Sequence, residues 1–176
     1  MSLSFLVGGT QGTFEDRLAQ EVAGVLDSAF GAEGDWEGSS PRRFGEMIGS
    51  GWLDLQNRAV AELGRENLPN LLALGGDGRG VYLPTSVRAV SLPLSAGGPL
   101  RCASLPGLRR ELGELADAWD LPRDDEGLEA ILHSFADPDD GPVADAPEAL
   151  TYAHLVLAAN EAVRRGCPLW LVGEAN

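Results

Sequence analysis

Residues 71–84 read LLALGGDGRGVYLP, with four glycines and one carboxylate inside the six positions 75–80. Glycine at this density serves a phosphate cradle, a metal loop or a tight reversal of the chain. The spacing matches neither the dinucleotide fingerprint nor the Walker loop, and Asp77 alone does not make a calcium site. Asp77-Gly78 is a favoured hairpin pair, so Leu71–Leu74 is expected to lead in as one strand and Val81–Leu83 to lead out as the next.

Further strands and helices follow on both sides. VRAVSLPLSAGGPLRCASL, residues 87–105, predicts two extended segments around SAGG, with Pro93 and Pro99 confining them to strand ends or an edge. A helix over Leu105–Trp119 has Leu105, Leu108, Leu112, Leu115 and Trp119 on one stripe, with Ser104 as its cap. Pro122 ends it. A shorter helix follows with Leu128, Ile131, Leu132 and Phe135 inward, then an acidic, proline-containing loop. The last helix, Pro147–Arg165, is apolar on most sides, and PLWLV reads as a final buried strand.

Toward the amino terminus, Leu3–Val7 predicts a strand, GGTQGT a turn, and Phe14–Phe30 an amphipathic helix capped by Thr13 and ended by Gly31. Residues 31–51 read as a long loop with one helical turn around Phe44–Ile48, fastened to the core by Trp36 and Trp52. A helix over Trp52–Arg65 follows. Strands and helices in this order predict one α+β domain over residues 1–176, its central sheet antiparallel or mixed and its helices packed against it.

Charge narrows the function. The formal charge of −14 and pI near 4.4 argue against nucleic acid as a ligand and suit either solubility or a basic protein partner. All thirteen basic residues are arginine. A chain without lysine has no Schiff base, Walker lysine or lysine general base. The short apolar amino terminus lacks a basic segment before it, so neither a signal peptide nor a membrane contact is expected, and the cytoplasm is the expected location.

The residues able to carry chemistry each have a bland alternative. Gly8, Gly9 and Gly12 precede a helix but miss the dinucleotide spacing, so a plain turn is favoured over an anion site. Asp137, Asp139, Asp140 and Asp145 do not follow the EF-hand pattern and read as a solvated charge run. His133 has Glu129 as an i,i+4 surface neighbour, and His154 lies among Tyr152, Leu155 and Leu157 as a core histidine would. Cys102 and Cys167 read as reduced core thiols, a long-range disulfide being the alternative. No residue is assigned a catalytic, cofactor-binding or metal role, and no cofactor is expected.

ENLPNLLALGGDGRGVYL, then VRAVSLPL and LPGLRRELGEL, together resemble the core of the SUKH superfamily, bacterial immunity proteins related to fungal cell-wall regulators. The resemblance covers roughly residues 66–116: a proline-introduced strand, a Gly-Asp-Gly turn, an aromatic-bearing strand, another strand and a helix. Residues 120–176 then form a helical carboxy-terminal extension. The resemblance implies that residues 69–92 form neighbouring strands of one sheet. It also implies a non-enzymatic protein-binding module, an immunity protein that neutralises a toxin partner, and acidic charge would suit a basic toxin. The alternatives are a structural or regulatory bacterial domain, and a small ligand-binding domain or enzyme built around His154 and Tyr152.

Overall fold

The computed structural model describes residues 2–31, 36, 38, 40–95, 97–136 and 147–173. Six strands, β1 (Ser2–Val7), β2 (Arg42–Ile48), β3 (Arg79–Leu83), β4 (Val90–Leu92), β5 (Leu100–Ser104) and β6 (Leu169–Gly173), form one sheet in the order β2-β1-β6-β3-β5-β4. It is mixed: β3 and β5 run parallel, and every other neighbouring pair is antiparallel. The helices are α1 (Asp16–Phe30), α2 (Gly49–Leu63), α3 (Leu105–Trp119), α4 (Asp125–Ala136) and α5 (Pro147–Arg165). The fold class is α+β.

Strand alternation divides the interior into two layers. Leu6, Val81, Leu83, Cys102 and Trp170 meet Val22, Ala23 and Leu26 of α1 and the indole of Trp36 on one face. Leu3, Phe5, Tyr82, Ala103, Leu169 and Leu171 meet α2, α3, α4 and α5 on the other. Burying a side chain such as Leu26 contributes about 1.5–3 kcal/mol, and α1 is the one described helix that supplies this to its face. α5 lies within the thicker layer. Ten of its residues are buried, which is why its sequence is apolar on most sides.

Three local expectations give way to tertiary context. Residues 69–74 are turns rather than a strand, so the Asp77-Gly78 hairpin does not form, and β5 separates β3 from β4. Residues 69–92 are therefore not the run of neighbouring strands that the SUKH resemblance implied. The cause is Glu111 of α3, whose buried carboxylate accepts from Asn70 N at 2.9 Å and Leu71 N at 2.7 Å. Those amides are thereby withdrawn from any ladder, and the segment coils, with Leu72 N donating to Leu68 O at 3.1 Å.

The second correction is at residues 42–48, a strand and not a loop with a helical turn. Among the described residues β2 pairs only with β1 at the edge of the sheet, and its first two residues, Arg42 and Arg43, are exposed, so it carries no apolar run. Its ladder is interrupted at Gly45, where φ is +61° and the register shifts between Ser4 and Phe5. That geometry is a glycine bulge. Third, Thr13 does not cap α1: its hydroxyl donates to Gly9 O at 2.7 Å, and the cap position is Glu15 without a side-chain bond.

The described residues beyond Asp120 pack into the same core through α4 and α5. Their PLWLV segment supplies β6, which is inserted between β1 and β3 and has Leu169, Trp170 and Leu171 fully buried.

Candidate functional site

Asp77 faces outward and pairs with Arg101 at 3.2 Å, while Gly78 has a φ of +72° and its carbonyl accepts from Gly173 N at 3.0 Å. The glycines thus turn the chain into β3 and tie that turn to the end of β6. Gly80 has a separate duty, since a Cβ there would meet Leu74 Cδ1 at 2.7 Å.

Behind this turn lies a buried polar network that the sequence reading missed. Asn70 Nδ2 donates to Glu111 Oε1 at 2.6 Å, Ser104 N donates to Asn70 Oδ1 at 3.0 Å, and Gly107 N donates to Ser104 Oγ at 3.0 Å. The tyrosine of β3, Tyr82, donates to Asn70 O at 3.4 Å, and burial, then the charge of Glu111, push its pKa well up. The network joins the 69–74 turn, β3, β5 and α3. Its signal in the sequence was a glutamate at position 111, within the apolar stripe of Leu108, Leu112 and Leu115.

The first glycine stretch is likewise a fastening. Gly8 O accepts from Trp170 Nε1 at 2.8 Å, Gly8 N donates to Pro168 O at 3.1 Å, and Thr10 N donates to the carbonyl of Trp36. It meets the other glycine stretch across a groove of about 630 Å³, where Gly12 and Thr13 face Gly78 and Arg79 over Leu6 and Val172.

Tyr152 and His154 point to different neighbours. Tyr152 donates to Pro122 O at 3.1 Å, stands edge-on to Trp119 at 6.5 Å, and has its pKa pushed up to about 12 by burial. His154 is half-buried against Gly45, close enough that a Cβ on that glycine would meet its ring at 2.7 Å. The structure therefore does not gather them into one catalytic constellation. His133 and Glu129 are both exposed on α4, and among the described residues no group of three or more histidines, cysteines or acids is placed to hold a metal. The Asp137–Asp145 loop lies outside the described residues. Cys102 and Cys167 are buried and form no disulfide, and burial raises the Cys102 thiol to about 12.

Burial lowers the pKa of His154, which gives a pH prediction. The unfolded chain takes up a proton as pH falls through about 6.5, whereas the folded chain resists until lower pH. Stability is therefore complete above that value and declines as pH falls through it. Urea unfolding at pH 7.5 and 5.5 should show a smaller loss for His154→Leu than for the parent chain. Equal losses would remove His154 as the source.

Among the described residues, acidic charge is concentrated at the corner where α3 passes into α4. Between Glu114 and Glu129 stand seven carboxylates and one arginine. Asp120, in a left-handed conformation with φ of 54°, closes α3, and Asp124 Oδ1 accepts from Gly127 N at 2.8 Å to cap α4. Asp125 accepts from Arg164 at 2.9 Å and from Asn160 at 3.2 Å, and these bonds lower its pKa. The arginine, Arg123, pairs with Asp117 and donates to Gly113 O at 2.6 Å. Glu114, Asp117, Asp120, Asp124, Glu126 and Glu129 are all exposed. A pocket of about 190 Å³ opens beside them between α3 and α5.

No family model, curated protein or solved structure matches the chain. Among the described residues, no helix is long and apolar enough to cross a membrane.

Proposed function

We propose that the chain is a non-enzymatic protein-binding module that docks a basic partner on the acidic corner between α3 and α4. The observation that carries this reading is the set of seven carboxylates against one arginine from Glu114 to Glu129, held on two helix ends fixed by the core. Arg123 and Arg164 pair with Asp117 and Asp125, and the remaining carboxylates leave a predominantly negative field, which speeds encounter with a basic surface and disfavours acidic ones. In its specific form the module is a cytoplasmic immunity protein and the partner a basic toxin, such as a nuclease. The hairpin that carried the family resemblance is gone, so this form rests on charge complementarity and on the wider α+β architecture.

Capture by the tagged chain from its native cells, followed by affinity measurement on the identified protein, tests the reading. A single basic partner is expected, with a steep fall in association rate as salt rises. The triple variant Asp120→Lys, Glu126→Lys, Glu129→Lys should slow association at least tenfold. For the immunity form, the chain should abolish the partner's toxicity on co-expression. Capture that is indifferent to the triple variant would sink the proposed surface.

A further inference from the structure

Gly113 sits in the interior of α3, where glycine costs about 1 kcal/mol relative to alanine, yet nothing in its surroundings calls for one. A Cβ built there finds its closest neighbour, Arg123 Nη1, at 3.9 Å. Gly107 in the same helix differs, since a Cβ would meet Asn70 Nδ2 at 2.3 Å, and so does Gly127 in α4, where Pro122 Cβ stands at 2.4 Å. Gly24 of α1 is also unhindered but faces solvent. What Gly113 does is line the pocket of about 190 Å³ between α3 and α5, so a side chain at this position would occupy the space.

The pocket has an apolar wall from Leu112, Val156 and Ala159, with Tyr152 beside it. Arg109 and Arg123 stand at its rim, and the rim is joined to the acidic corner at two points: Arg123 reaches Asp117, and Asn160 donates to Asp125. An apolar recess bordered by fixed charge is the usual geometry of an interface anchor, in which one side chain is buried and surrounding polar contacts exclude water.

We propose that this pocket receives a single apolar side chain, aliphatic or aromatic, projecting from the basic surface of the protein partner, and that Gly113 keeps the pocket open. The inference rests on the docking reading above for the partner's charge, and on the glycine and the pocket for the anchor.

Two arms test it on the full chain. In the first, benzyl alcohol is titrated while backbone amide shifts are followed. Saturable shifts are expected at Leu112, Gly113, Val156 and Ala159, and they should vanish in Gly113→Leu. Absence of saturable shifts in the parent chain overturns the pocket, whether or not a partner is found. In the second, the captured partner is measured against Gly113→Leu and against the triple charge variant. Gly113→Leu should weaken binding at least tenfold through faster dissociation. If only the charge variant weakens binding, the anchor is wrong and the docking reading stands; if only Gly113→Leu does, the charge reading fails and the anchor stands. Gly113→Ala is the folding control. It should raise the melting temperature by about 2–4 °C, the shift that corresponds to ~1 kcal/mol in a domain of this size, and a fall would show that the glycine is structural.

Discussion

Glu111→Ala lowers the free energy of unfolding by about 3–5 kcal/mol, because it leaves three buried N–H donors unpaired at about 1–3 kcal/mol each before relaxation. Those donors are Asn70 N, Asn70 Nδ2 and Leu71 N. The loss falls at a junction. With the carboxylate gone, Asn70 no longer has a fixed amide orientation with which to hold Ser104 N, and Ser104 is the cap of α3. The 69–74 turn, the start of α3 and the hydroxyl of Tyr82 loosen together. Glu111→Gln should cost less, since it keeps one acceptor oxygen while turning an NH₂ group toward the remaining donors. Urea unfolding monitored by circular dichroism provides the measurement. A loss under about 1 kcal/mol for the alanine variant would show that the donors find water or other partners, and that the network does not hold the turn.

The second large effect belongs to Trp170. Its indole is fully buried in β6, stands edge-on to Phe14 at 5.2 Å, and donates to Gly8 O at 2.8 Å. Trp170→Ala removes a large volume where α1 closes over the sheet, at a cost of about 3–5 kcal/mol. That is a large share of the roughly 5–15 kcal/mol that stabilises an ordinary domain. Trp170→Phe keeps most of the packing and forfeits the bond to Gly8, a loss of about 1–2 kcal/mol. Denaturant midpoints for the two variants should therefore separate clearly. Similar midpoints would mean that the ring volume matters little and that α1 is held by something else. The alanine variant should also expose the Gly8–Thr13 turn to hydrogen exchange, because that turn is fastened through Trp170 and Pro168.

Much of the scaffold was legible because its signals are local. α3 follows from its leucine stripe and from Ser104, whose side chain accepts from Gly107 N as a cap should. α5 and β6 follow from apolar runs too dense for a surface. β4 and β5 follow from β-prone residues around a glycine turn, and they do pair antiparallel. The site was less legible. The acidic corner draws on residues contiguous in sequence, but it becomes one surface only where Pro122 and Asp120 bring two helix ends together. The pocket beside it needs α5, some forty residues further along the chain, and no spacing within α3 points to it.

LLALGGDGRGVYLP marks the same division. By itself the sequence determined that the chain must turn there and emerge as a strand, because glycine adopts Gly78's positive φ without the steric cost most side chains would meet and because Val81–Leu83 favours extended backbone. It did not determine how the chain enters. Leu71–Leu74 is a short apolar run that suits a buried strand or a helical turn alike, and the hydrogen bonds that the Asn70 and Leu71 amides donate to the carboxylate of α3 decide between them by claiming amides a ladder would need. β propensity is a weak preference spread over several residues. A buried carboxylate cannot be left without donors. Tertiary structure decided the entry for that reason, and with it the strand order that places β6 beside β3.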